Sequence, residues 1–162
     1  LYCEVLKMAK IKSNDVVYDL YTGTGTIALF MAQIAKKVIG IESVQEAIDA
    51  AKQNALDNNI VNTEFIVGDM REVFDEELWN KHGKPDVLIT DPPRDGMHPK
   101  VVQKLLDLKI PKIVYVSCNT ATQARDLDLM RGEYQVESVQ PVDMFPQTHH
   151  IENILLLKLK SN

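Results

Sequence analysis

Val16-Val17-Tyr18-Asp19-Leu20-Tyr21-Thr22-Gly23-Thr24-Gly25-Thr26-Ile27-Ala28 decides the fold. Val16 to Tyr21 is an apolar run of strand length, Thr22 to Gly25 is a turn, and Thr26 to Ala35 continues at helical spacing. A strand that passes through a glycine turn into a helix opens a parallel α/β sheet, with ligands bound outside the carboxyl ends of the strands. Gly23 and Gly25 allow positive φ and let a ligand come close to the backbone.

Working outward, the same alternation recurs. Leu1 to Ala9 reads as a helix with Leu1, Val5, Met8 and Ala9 on one face, and Cys3 is expected in the core. Lys37 to Glu42 is a second strand, Gln45 to Asn58 a helix, Thr63 to Val67 a third strand, and Met70 to Asn80 a looser helical stretch. Gly83-Lys84-Pro85 breaks the pattern before a strand at Asp86 to Thr90. A helix from Pro99 to Leu108, a strand from Pro111 to Ser117 and a helix from Ala121 to Met130 follow. Tyr134 to Met144 and Ile151 to Lys160 are strand-like, and the short loop between them leaves no room for a crossover helix. Those two strands should be antiparallel. The expected fold is therefore α/β: an open, mostly parallel sheet with an antiparallel last strand.

The chain has 162 residues, enough for one domain, with ordinary composition and no apolar run of membrane-spanning length. Two cysteines without metal-ligand spacing point to a reducing compartment, so a cytoplasmic protein without a bound metal is expected, and no membrane partner. The net charge of -5 is unusual for a protein that grips nucleic acid, and the lysines at 7, 10, 12, 36, 37, 100, 104, 109 and 112 read as solvated helix faces. If the substrate is RNA, much of its backbone must be held elsewhere.

The acids at strand ends narrow the ligand. Gly23-x-Gly25-x-x-Ala28 fits a dinucleotide fingerprint, and Glu42 stands where a ribose-binding acid belongs. Asp19 argues against a pyrophosphate, which prefers helix N–H groups with no carboxylate beside them. It suits a ligand with a positive end, such as the ammonium and sulfonium of S-adenosylmethionine. Glu42 can accept from two ribose hydroxyls and Asp69 from an exocyclic adenine amine; alternatively, such acids only cap the following helices. With Tyr21, Gly23, Gly25 and Asp91 they form the expected cofactor-binding set.

Two further segments close apolar runs: Asp91-Pro92-Pro93-Arg94, and Ser117-Cys118-Asn119. Neighbouring parallel strands would bring a carboxylate, an arginine and a thiol into one cleft, as nucleophilic chemistry on a planar polar substrate requires. With the glycine turn and Phe145-Pro146-Gln147-Thr148-His149-His150-Ile151-Glu152, the four segments in this order resemble the RNA uracil-5-methyltransferases, most of all the 23S ribosomal RNA enzymes, with the transfer-RNA enzyme close behind. Thr22 stands where many members have cysteine, and Thr120 where proline often follows Cys-Asn. The resemblance covers the catalytic domain alone. It implies a Rossmann-like class I S-adenosylmethionine-dependent methyltransferase fold over residues 1–162, expected as the C-terminal fragment of a longer protein with its RNA-binding domain upstream.

Carbon 5 of uracil is a poor nucleophile until a thiolate adds to carbon 6. Cys118 is the candidate for that step, its bland alternative being a buried core cysteine. A base must then remove the proton from carbon 5, and the resemblance gives that role to Glu152. Arg94 can offer a fork of donors to uracil carbonyls or to Glu152, and Asp91 can accept from a ring N–H. His149 and His150 are expected to shape the loop rather than react. The rival readings are an amino-methylating enzyme, which needs no cysteine, an NAD dehydrogenase, which Asp19 disfavours, and a cofactor-binding fragment without activity.

Overall fold

The computed structural model describes residues 1–148 and 150–161. Its elements, in chain order, are α1 (Tyr2–Ala9), β1 (Val16–Leu20), α2 (Thr26–Ala32), β2 (Lys37–Glu42), α3 (Gln45–Asp57), β3 (Thr63–Val67), α4 (Met70–Val73), α5 (Glu76–His82), β4 (Val87–Thr90), α6 (Pro99–Leu108), β5 (Lys112–Ser117), α7 (Thr120–Met130), β6 (Tyr134–Val142) and β7 (Glu152–Leu159). They form a seven-stranded sheet of order β3-β2-β1-β4-β5-β7-β6. Strands β1 to β5 pair in parallel, while β7 runs antiparallel to both β5 and β6.

Period-two alternation explains why both faces are covered. Val17, Val87, Ile89, Val114, Val116, Ile154 and Leu156 point to one side, where α1, α2 and α3 pack. Tyr18, Leu88, Ile113, Tyr115, Leu155 and Leu157 point to the other, under residues of α4 to α7. Strands buried on both faces read as continuous apolar runs, which is the form these segments take in the sequence.

Three details depart from expectation. The stretch from Met70 to Asn80 is two short helices, because Phe74 turns into the core and Asp75 starts afresh, its carboxylate accepting from Leu78 N at 3.0 Å. Helix α2 stops at Ala32 rather than Ala35. Cys3 is exposed, not in the core: Val5 and Ala9 form the buried stripe of α1, and Cys3 falls outside it. Among the described residues, no helix is long and apolar enough to cross a membrane.

Candidate functional site

The strand order reverses between β1 and β4, which opens a crevice at their carboxyl ends. Because β7 is antiparallel, its first residue, Glu152, lies at that same edge. The topology therefore delivers the ends of β1, β2, β3, β4 and β5 and the start of β7 to one rim.

On the β1 side, Asp19 is 1% exposed. Its Oδ2 accepts from the Thr22 hydroxyl at 2.6 Å, while its Oδ1 is buried with no partner among the described residues. Burial, reinforced by the charges of Asp91 and Glu42, pushes its pKa up to about 7. Tyr21 and Gly23 both have positive φ (61° and 54°), and a Cβ at Gly23 would meet no atom within 4 Å, so this part of the turn borders open space. Gly25, at φ 81°, serves packing instead: a Cβ there would lie 2.9 Å from the Phe65 ring.

Glu42 straps the turn to β2. Its Oε2 accepts from Gly23 N at 3.2 Å, and Oε1 from Ser43 N, the Ser43 hydroxyl and Val44 N. Oε2 keeps acceptor capacity. Asp69 caps α4 through Arg71 N at 2.8 Å and is forked by the Arg71 guanidinium, which holds its carboxyl down at about 2. Burial, with the nearby charge of Asp69, pushes the Tyr21 phenol up to about 12.

On the β4 side, Asp91 N donates to the Leu20 carbonyl at 3.4 Å. Burial and the charge of Glu152 raise the Asp91 carboxyl to about 6. Asp91 is thus the meeting point of two clusters, with Asp19 on one flank and Glu152 on the other. Beside it, a cleft of about 450 Å³ is lined by Arg94, Cys118, Asn119, Thr120, His150 and Asn153, among others. Cys118 is half-buried, and the Arg94 guanidinium is exposed with no hydrogen bond or ion pair among the described residues. Of the two partners considered for Arg94, uracil carbonyls or Glu152, Glu152 is not bonded to it in this structure. His149 lies outside the described residues.

Helix α7 supplies residues that the sequence reading did not single out. Asn119, its cap, and Thr122 both donate to the Arg94 carbonyl, at 3.1 and 3.0 Å. Asp126, fully buried, accepts from the Tyr115 hydroxyl at 2.7 Å and from Met97 N at 2.8 Å, and pairs with Arg125. Arg125 also donates to the Asp95 carbonyl at 2.8 Å. The loop from Asp91 to Met97 is thereby moored to α7. The signal was present: α7 places glutamine and aspartate, Gln123 and Asp126, on a face that an ordinary helix fills with apolar side chains.

Comparisons with known proteins bear on the family and the fold. A family model described as tRNA (uracil-5-)-methyltransferase matches residues 3–160. An uncharacterized RNA methyltransferase of Bacteroides thetaiotaomicron is 56% identical over 160 residues, covering 99% of this chain and 35% of that protein. Another from Staphylococcus aureus is 48% identical over 161 residues, with 99% and 35% covered. The chain thus spans about a third of the length of these curated relatives. Among solved structures, the Pyrococcus abyssi tRNA (uracil-54, C5)-methyltransferase in complex with S-adenosyl-L-homocysteine is 35% identical, with a TM-score of 0.82 over 96% of this chain and 37% of that one. A Streptococcus thermophilus rRNA methylase, 17% identical with a TM-score of 0.75, shares the fold. The fold is the Rossmann-like class I methyltransferase fold, and the chain belongs to the tRNA (uracil-5-)-methyltransferase family.

Proposed function

We propose that this protein transfers a methyl group from S-adenosylmethionine to carbon 5 of a uridine in RNA through a covalent adduct on Cys118. The observation that carries the reading is the single rim on which Cys118 and Arg94 line one cleft, while Asp91 follows β4 and Glu152 opens β7 at the same edge of the sheet. We read residues 1–162 as the catalytic domain, with further RNA-holding surface supplied by other parts of the protein.

The cofactor fits what the turn offers. A buried carboxylate oxygen without a partner at Asp19 suits a ligand with a positive end, and the open space at Gly23 allows close approach. Glu42 Oε2 has capacity for a ribose hydroxyl. Asp69 accepts the adenine amine in exchange for its exposed ion pair with Arg71, an exchange that costs little. When bound, S-adenosylmethionine supplies an electrophilic methyl group.

The chain's own residues do the rest. The Cys118 thiolate adds to carbon 6 of uracil, and the ring electrons move onto the carbonyl oxygen at carbon 4. Arg94 donates to the uracil carbonyls and stabilises that charge. Asp91 accepts from the ring N–H. Once carbon 5 carries the methyl, Glu152 takes its proton. The C–H electron pair then forms the 5,6 double bond, and the C–S bond breaks with its electrons returning to sulfur. A uridine stacked in RNA must first be flipped out, at a cost of a few kcal/mol.

We take ribosomal RNA as the target, on the motif resemblance; the Pyrococcus abyssi relative is named for transfer RNA, so both RNAs enter the test. Intact mass is measured after incubation with S-adenosylmethionine and ribosomal or transfer RNA containing 5-fluorouridine. Fluorine at carbon 5 cannot leave as a proton, so a covalent complex should accumulate, and Cys118→Ala should abolish it. Cofactor binding without any adduct on either RNA would move the reading to an amino-methylating enzyme.

A further inference from the structure

Gln123 is 1% exposed, on the inner face of α7. Its Nε2 donates to the Tyr115 carbonyl at 3.0 Å and to the Asn153 carbonyl at 3.2 Å, and its Oε1 accepts from Asn153 Nδ2 at 2.7 Å. Both amide hydrogens and the oxygen are engaged, so this one side chain ties α7 to β5 and to the beginning of β7. A buried amide is kept at a desolvation cost unless every partner is present, and here every partner is.

The place that it braces is the end of a ladder. The ladder between β5 and β7 ends at the pair Ser117–Asn153. Glu152 lies one residue beyond, with a ladder partner, Val142, on the β6 side only. Cys118 lies one residue beyond on β5. Thiol and carboxylate thus both follow directly on the last rung, and Asn153 is the half of that rung that Gln123 grips.

We propose that Gln123 is a positioning residue: by clamping Asn153 it fixes Glu152 relative to Cys118 and so sets the rate at which the enzyme is released from methylated RNA. This rests on the reading of Cys118 as nucleophile and Glu152 as base. The clamp does not reach the loop that carries Arg94, which is held by Asn119, Thr122, Arg125 and Asp126. Adduct formation and adduct release therefore depend on different parts of α7.

The test follows the covalent protein–RNA complex on ordinary uridine RNA with S-adenosylmethionine, by denaturing gel and intact mass, for the wild type, Gln123→Met and Asn153→Ala. The quantity read is the ratio of the release rate to the formation rate. Misplacing a reacting group by about an ångström costs up to roughly a hundredfold, so the ratio should fall by at least about tenfold in both variants, and the complex should build up. Formation and release slowing in proportion would reduce Gln123 to a helix-packing residue and overturn the proposal, as would an unchanged ratio. If Gln123→Met shows no cooperative melting transition, Asn153→Ala decides. A wild type that forms no complex even on 5-fluorouridine RNA fails at the underlying reading, and the proposal falls with it. A wild type that does, with normal release in the variants, fails at Gln123 alone.

Discussion

Asn119 Nδ2 donates to the Arg94 carbonyl at 3.1 Å while Asn119 Oδ1 accepts from Ala121 N at 3.1 Å. One amide therefore caps the helix that starts beside Cys118 and pins the loop that carries Arg94. The two jobs can be separated. Asn119→Asp keeps the capping oxygen and loses the donor, so stability should stay near the wild type while adduct formation slows by about tenfold or more. Asn119→Ala loses both, and should add a stability loss of about 1 kcal/mol, or roughly 2–4 °C in Tm for a domain of this size. Calorimetry beside the gel assay distinguishes the two effects.

Gly23 and Gly25 share a left-handed backbone but have different surroundings. Gly25→Ala forces a methyl group to within 2.9 Å of the Phe65 ring and 3.0 Å of Ala51 Cβ, and should destabilise the protein by about 2–4 kcal/mol. Gly23→Ala meets nothing and should cost about 1 kcal/mol of backbone strain. Its methyl projects into the space where the cofactor would approach, so binding of S-adenosylhomocysteine should drop by at least about tenfold. Denaturant titration and calorimetric binding on both variants check the contrast.

Asp19 gives a pH prediction with a definite sign. Its folded pKa, about 7, lies above the ordinary 3.8, so between these values the folded state holds a proton that the unfolded chain has lost. Stability from this group falls as pH rises through that window, and Asp91, raised to about 6, acts in the same direction. Asp19→Asn keeps an acceptor for Thr22 and removes the buried charge. The ligand-free variant should be more stable than wild type at pH 8 by on the order of 2–4 kcal/mol, with the advantage vanishing near pH 4. The same variant should bind S-adenosylhomocysteine more weakly than wild type. Paired urea melts from pH 4 to 8 measure the first; loss of the advantage at pH 8 would contradict it.

Asp126 holds a different kind of stability. Asp126→Ala leaves the Tyr115 hydroxyl and Met97 N buried without their acceptor and opens a void under α7. The expected loss is about 3–5 kcal/mol. Asp126→Asn, which can still accept from both, should lose less than half of that. Thermal melts of the two variants, read as a pair, check the assignment.

Much of this was readable from the chain. The alternation of apolar runs with helical patterns gave each strand to within two or three residues, and the short loop before Ile151 fixed the direction of β7 relative to β6. The glycine turn and the acids at strand ends are local signals, and local signals survive in sequence. What stayed hidden depends on long-range partners. Nothing in the order of residues says that β7 inserts between β5 and β6, or that Phe74 turns inward and splits a helix. Asp69 is engaged with Arg71, two residues away, and no spacing rule reveals how far that pair occupies the acid. Gln123 and Asp126 interrupt the apolar face of α7, but nothing near them in sequence names the Tyr115 and Asn153 carbonyls that Gln123 serves, or the Met97 N–H and Tyr115 hydroxyl that Asp126 accepts from.

The strand that carries Glu152 is also a keystone. Strand β7 is the last to leave the ribosome of those described here, yet it fills a slot between two earlier strands, and Ile154 to Leu157 are buried in both halves of the core. A polypeptide broken off before this point leaves β5 and β6 without the strand that joins them, and opens to water the apolar faces that Ile154 to Leu157 cover. On the proposed reading it would also lack its base, so the ability to fold and the ability to release RNA would be lost together.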